Sequence, residues 1–469
     1  METLQRTANR GSVSTGYDVD NSCAFEDGLS ESLHKSLSSQ SRDCFTISFW
    51  LKRTALGAQR LVGAGASGNN EVIIQFTSSD ELEFYSWEGA YAMRYKTNRL
   101  FRDTNAWYHF AFLVDTRLST ASERTQIYVN GVLETSFSVS VVPGQNSLFD
   151  WTTNIYVGKG GAAADADMSG YLSEFVYLDD TKAAHTDLGE FDSDTGIWIP
   201  IDVSGLTFGT NGAYLDFKDS SNMGNDANGG TDFTETNISS ADQATDTPTN
   251  NFATFNQLHP KASGTNVANG AVQFYINSNY QTAVASIAVS KGKWYAEFSC
   301  DSTTSFIGIV DVADAYIPQD HSGYYLGYAG SNQNRSVGLR GSDGALLNRT
   351  GDFYGASYSA SDIIGVGLNM DDRKINFSVN GTWMSSDNSG TPANGATWNT
   401  TSSLGDDWTD VITMGVTGYS NIHWKCNFGG YTLLSISSGN SDANGYGNFE
   451  YAVPSGFYAL CSKNLAEFG

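Results

Sequence analysis

Apolar and polar residues alternate along most of this chain, and one alternating phrase occurs twice. The first copy is Trp107-Tyr-His-Phe-Ala-Phe-Leu-Val-Asp115, followed by Ile127-Tyr-Val-Asn-Gly131. The second is Asp362-Ile-Ile-Gly-Val-Gly-Leu-Asn-Met370 and Asp371-Asp372, followed by Ile375-Asn-Phe-Ser-Val-Asn-Gly381. Each apolar strand ends at aspartate, and each following strand ends at Asn-Gly. Ile364, Val366, Leu368 and Met370 share one face, as do Ile375, Phe377 and Val379 on the next strand. A period of two predicts a half-buried antiparallel sheet. Asn-Gly accepts positive φ at both central positions of a type I′ turn, which predicts a tight hairpin. The pattern therefore predicts an all-β chain of two antiparallel β-sandwich (jelly-roll) domains joined by an irregular connector.

Residues 1–20 are polar without a period and read as an N-terminal arm that docks on something or, equally, as a frayed terminus. Residues 21–200 read as the first sandwich. Its candidate strands are Phe45–Leu51, Glu71–Phe76, Leu82–Tyr85, Tyr108–Val114, Gln126–Val129, Asn154–Val157 and Tyr171–Leu178. Residues 201–260 are rich in Asn, Asp, Thr and Gly, with one short strand at Ala213–Phe217. They read as a connector laid over both domains and partly ordered by Phe233, Phe252 and Phe255. Residues 261–469 read as the second sandwich, with strands at Gly292–Phe298, Phe306–Val310, Ile363–Met370 and Trp424–Gly429. No long stretch shows helical periodicity, so helices are expected to be few and short.

Composition narrows the classes of partner. Among 469 residues, 13% are aromatic, which suits strands, and 49 Gly against 7 Pro suit many tight turns. The net charge of −25 argues against nucleic acid, which needs a basic patch, and against anionic lipid. The five cysteines, Cys23, Cys44, Cys300, Cys426 and Cys461, are odd in number and form no C-x-x-C pair. They are expected as buried free thiols in a chain made in a reducing cytoplasm. Met1-Glu-Thr-Leu-Gln-Arg-Thr lacks the apolar core of a signal peptide, and no apolar run is long enough for membrane insertion.

Phe45-Thr-Ile-Ser-Phe-Trp-Leu, Trp107-Tyr-His, Ile127-Tyr-Val-Asn-Gly and Gly170-Tyr-Leu-Ser-Glu-Phe-Val-Tyr occur in an order that resembles the laminin-G/concanavalin A-like jelly roll. That resemblance implies two curved antiparallel sheets, often with carbohydrate or protein bound at loop tips or on the concave face. Further on, Lys293-Trp-Tyr-Ala-Glu-Phe298, the Ile363–Gly381 hairpin, Asn427-Phe-Gly429 and Pro454-Ser-Gly-Phe-Tyr-Ala-Leu460 resemble a SPRY domain. It implies a binding module with no chemistry of its own. The two modules, with Asp246-Thr-Pro-Thr-Asn-Asn-Phe-Ala-Thr-Phe-Asn256 between them, resemble in layout the virion proteins of tailed bacteriophages.

Candidate chemistry is sparse. Glycoside cleavage needs two facing carboxyl groups. Glu81 and Glu83 alternate onto one strand face, but no third acid follows nearby, and a solvated face is the expectation. Glu134 and Glu174 stand isolated and are expected on the surface. His109 and His423 lie in strands beside Trp107 and Trp424 and read as packed structural residues; no Gly-x-Ser-x-Gly elbow is present. Asp192-Ser-Asp194-Thr-Gly196 places oxygen ligands at alternate positions as calcium loops do, against the plainer reading of an Asx turn. Asp165-Ala-Asp167 poses the same choice. No other cofactor is expected. Aromatic rings that could stack on a sugar are Trp87, Tyr91, Tyr324, Tyr325, Trp383 and Trp408.

The expectation is a non-enzymatic phage virion surface protein, of the tail-fibre kind, assembled in the bacterial host cytoplasm. Its partners would be other virion proteins and a host cell-surface glycan or protein. Homo-oligomerisation, with a trimer as the usual fibre state, would raise avidity. Two rivals stand beside it: a head-decoration or tail-assembly component that binds only viral subunits, and a polysaccharide-degrading glycoside hydrolase.

Overall fold

The computed structural model describes residues 16–469 except 66–69, 150–152, 162–165, 260–265, 278–279, 316–324, 328–334, 348–352, 355, 385–395 and 398–407. Two compact units divide between Asn250 and Asn251.

The first unit is a sandwich of two eight-stranded sheets among the described residues. One runs Val132–Leu133, Thr125–Val129, Trp107–Asp115, Cys44–Arg53, Gly170–Asp179, Ser22–Phe25, Gln243–Ala244, with Ala213–Leu215 also paired to Gly170–Asp179. The other runs Phe137–Val141, Tyr91–Leu100, Glu81–Glu88, Asn70–Phe76, Gln59–Gly65, Asn154–Val157, Ser32–Ser36, Thr234–Thr236. Alternation sends Phe45, Ile47, Phe49 and Leu51, with Phe110, Phe112 and Val114, into the core between the sheets. Facing them are Val72, Ile74, Phe76, Leu82 and Phe84.

Among the described residues, the second unit pairs a nine-stranded and a six-stranded sheet. The larger runs Asn266–Ala268, Gln273–Ile276, Ile422–Asn427, Lys293–Cys300, Ile363–Asn369, Lys374–Val379, Thr382–Trp383, with two short side strands. One of these, Tyr458–Ala459, pairs in parallel with Lys293–Cys300, an exception to the antiparallel rule. The smaller runs Tyr280–Val284, Ile412–Tyr419, Ser305–Asp311, Ser336–Arg340, Ala345–Leu347, Phe353–Tyr354. The α-helices described are Val312–Ala315 and Ser462–Phe468.

Both Asn-Gly pairs turn as the sequence predicts, with φ of 49° and 74° at Asn130 and Gly131, and 47° and 78° at Asn380 and Gly381. The two copies also share a device that spacing did not reveal. Asn130 donates its backbone N–H to the His109 carbonyl, and its side-chain oxygen accepts the His109 N–H at 2.8 Å. Asn380 does the same with Ile363, at 2.8 and 3.0 Å. Each asparagine thereby adds a rung to the ladder at the point where its strand turns away.

Two expectations need revision. The repeated strands are buried on both faces, not one. Ala111 and Leu113 lie under a second cluster built from Ala183, Leu188, Val203, Phe208 and Tyr214. Gly365 and Gly367 lie under Tyr295, Trp383 and Phe457, whose rings come within 3.0–3.3 Å of where a Cβ would stand, so a side chain there needs the rings to give way. The stretch 201–260 is also more than a surface connector. Ala213, Leu215, Phe217, Met223, Phe233 and Ile238 enter the first core, while Ala253 and Phe255 enter the core of the second unit. Asp246 is buried, pairing with Lys52 at 2.6 Å and accepting from Trp107 Nε1 at 2.9 Å.

Candidate ligand-binding site

The strands Asn70–Phe76, Glu81–Glu88 and Tyr91–Leu100 lie side by side in the second sheet of the first unit. Since one set of alternate residues fills the core, the other set, including Glu71, Gln75, Glu83, Tyr85, Trp87, Arg94 and Lys96, covers the opposite face. Tyr91 joins them because the register shifts between Ser86 and Trp87, so that Trp87 pairs directly with Tyr91. Their rings meet edge to face at 4.7 Å, and Tyr85 meets Tyr91 at 5.7 Å. The Arg94 guanidinium lies 4.3 Å from the Tyr91 ring centre, an attractive cation–π geometry.

A polar chain fixes this cluster from below. Glu83, 4% exposed, accepts from Arg94 Nε at 2.7 Å and from Gln75 Nε2 at 2.6 Å. Tyr85 donates its hydroxyl to Glu71 at 2.7 Å; burial, and after it that bond, push its ionisation far above the ordinary tyrosine range. Glu81 pairs with Lys96 at 3.3 Å. Glu83 is therefore not on a solvated face, contrary to the sequence expectation: the third strand supplies Arg94 as its counter-charge. Both Glu83 oxygens are committed, which makes it a positioning group for Arg94 rather than a free acid or base. What remains accessible is Tyr91, 38% exposed, and part of Trp87. Held rings beside a held guanidinium suit a ligand with an apolar face and ring hydroxyls.

The other sequence candidates are placed elsewhere. Tyr325 stacks on Phe306 at 4.3 Å. Trp383 packs beside Tyr295 at 6.2 Å, and Trp408 leans on the second core. Tyr324 and Asp165 lie outside the described residues. Asp192 forms an Asx turn, its Oδ1 accepting from the Asp194 N–H, the Thr195 N–H and the Thr195 hydroxyl. Those bonds hold its carboxyl below the usual range. Asp194 is exposed. Among the described residues no three His, Cys, Asp or Glu side chains converge as metal ligands.

The histidines separate. His109 is 1% exposed, and burial lowers its pKa to about 3. Its Nδ1 accepts from Trp198 Nε1 at 3.0 Å, so Nε2 carries the proton and donates to Ser48 Oγ at 2.7 Å. That polarity is the reverse of what a serine nucleophile requires. His423 is not buried, contrary to the expectation of a packed structural residue. Its side chain is 44% exposed and pairs with Asp301 at 2.8 Å. Its neighbour Trp424 faces the core, and adjacent strand residues face opposite ways. Glu174 corrects the surface reading in the other sense: it is 5% exposed, at φ 51° in a strand bulge, and accepts from Tyr214 at 2.7 Å.

The Concanavalin A-like lectin/glucanases superfamily matches residues 29–185, and the SPRY domain matches residues 293–395. Among solved structures, a putative carbohydrate binding protein from Bacteroides ovatus is 18% identical over 47% of this chain and 58% of its own, with a TM-score of 0.34. The SPRY domain of human HERC1 is 17% identical over 37% of this chain and 96% of its own, with a TM-score of 0.27. Domains LG4-5 of the mouse laminin alpha1 chain are 11% identical over 92% of this chain and 88% of their own, with a TM-score of 0.30. No curated protein matches the sequence.

Proposed function

We propose that this chain, which joins a laminin-G/concanavalin A-like domain to a SPRY domain, binds a host-surface glycan as part of a tailed-phage particle and does not cleave it. The observation that carries the binding reading is the Trp87–Tyr91–Arg94 cluster, locked by Glu83 and Gln75 before any ligand arrives. Pre-ordered groups lose little freedom on binding, which favours affinity. Placement on a phage particle rests on the order of the two modules around the Asp246–Asn256 stretch. Several copies per particle would add avidity to weak single sites.

A glycan array probed with the full-length chain tests the reading. Trp87→Ala should weaken binding to the best glycan at least tenfold, about 1.4 kcal/mol, with an unchanged melting temperature. Undiminished binding by folded Trp87→Ala would remove this face as the site. Reducing ends released from that glycan should stay at background. Absence of the chain from purified particles would remove the placement but not the binding.

A further inference from the structure

The second unit holds a separate trough, outside the cluster just described. Its floor is the outward face of the nine-stranded sheet. Gln273, Lys425, Ser299 and Ile363 stand opposite one another across four neighbouring strands and form one row. Tyr275 and His423 head the next row, stacked at 4.7 Å with 27° between their planes. On the other side of the Lys425 row, the sheet is closed over. There Glu297 is wholly buried and accepts the backbone N–H groups of Glu450 and Tyr451 at 2.9 and 2.8 Å. The covering segment stops short of the Lys425 row, where Leu433 and Leu434 form a wall. The resulting cavity is about 490 Å³, within the range of small-ligand sites.

The chemistry inside is uneven. Asp301 is spent: Oδ1 accepts the His423 N–H at 2.9 Å, and Oδ2 faces His423 Nδ1 at 2.8 Å. Lys425 lines the trough and has no carboxylate partner among the described residues. Around it are the hydroxyls of Ser299, Ser361 and Ser435, the Gln273 amide and an apolar wall. That leaves an ammonium group with no ion-pair partner among the described residues, in a hydroxyl-lined trough of a protein whose net charge is −25.

We infer that this trough is a second ligand site, and that it takes a carboxylate-bearing sugar of one or two rings. Lys425 meets the carboxylate, the serines and Gln273 meet ring hydroxyls, and Leu433 and Leu434 cover the apolar ring face. Recognition here does not depend on Trp87.

Calorimetry of the full chain with digalacturonate, and with neutral digalactose as the control, tests it. Digalacturonate should bind at least tenfold more tightly than digalactose, and more weakly in 0.5 M salt than in 0.1 M. Lys425→Met keeps the apolar stem and should abolish that preference, as should Lys425→Glu, with Trp87→Ala leaving it intact. Equal affinity for the two sugars, or a preference that survives Lys425→Met in a folded chain, would overturn the inference. So would a tetraglutamate peptide that binds as tightly as the sugar with the same dependence on Lys425, since charge alone would then explain the site. Loss of digalacturonate binding in Trp87→Ala would assign that sugar to the first unit and also reject the second site.

Discussion

Asp80 shows how much one residue can hold. It sits at φ 67° with little exposure and joins Arg53, Arg102 and the Gly57 N–H at 3.2, 2.9 and 2.7 Å. Arg53 is fully buried, lies 4.1 Å over the Phe76 ring, and also donates to the Phe101 and Gly57 carbonyls. Removing the carboxylate would strand a buried guanidinium, so Asp80→Ala should cost about 3–5 kcal/mol in urea unfolding. Glu174 gives the opposite sign. Burial raises its pKa from 4.5 to about 7, against the lowering effect of the Tyr214 and Tyr17 hydroxyls, with Asp216 and Lys218 nearby. Below about 4.5 both folded and unfolded chains hold the proton; between 4.5 and 7 only the folded chain does; above 7 neither does. Stability therefore falls as pH rises through that window. Glu31, also raised to about 7 by burial, adds to the fall. Glu174→Gln should recover about 3 kcal/mol at pH 8 relative to pH 4 in paired urea titrations. An equal gain at both pH values would contradict this account.

At the scale of elements, the face opposite the core decides more than the alternation itself. The Ile363–Asn369 strand carries glycine at 365 and 367, which alone would weaken a strand. The rings of Trp383 and Phe457 occupy the space, within 3.2 and 3.3 Å of where a Cβ on Gly367 would stand. Gly367→Val should therefore destabilise the second unit by about 1–3 kcal/mol despite the better strand propensity of valine; an increase in thermal midpoint would show that the rings can yield. The same reasoning accounts for the candidate cluster. Trp87 and Tyr91 were legible as aromatics near a turn. Arg94 and Glu83 were not, because their value comes from a cross-strand pairing with a shifted register, and the strand Tyr91–Leu100 lacks a clean apolar period.

Across the whole molecule, two cores and five buried thiols set the solution behaviour. All five cysteines are free and buried. Burial pushes the Cys44 and Cys300 thiols up to about 12, and those of Cys23 and Cys426 upward as well. Thiolate is the reactive form, so the native chain should titrate fewer than one equivalent with a thiol reagent such as DTNB. In guanidinium chloride it should titrate all five; rapid native labelling would show a core that opens readily. The two accessible clusters lie in different units and differ in chemistry, one aromatic with a tethered arginine, the other hydroxyl-lined with a lysine that has no carboxylate partner among the described residues.

The order of apolar and polar residues determined the fold class, the run Phe45–Leu51 and the other matching strands, and the two Asn-Gly turns, because strand alternation and positive φ are local demands. Which faces became dry, which acids were neutralised and where a trough stayed open were decided by tertiary structure. Glu83, Glu174 and His423 each broke the expectation of their own segment. Burial and charge pairing depend on what a distant strand or loop lays across a side chain, and no local pattern encodes that distance.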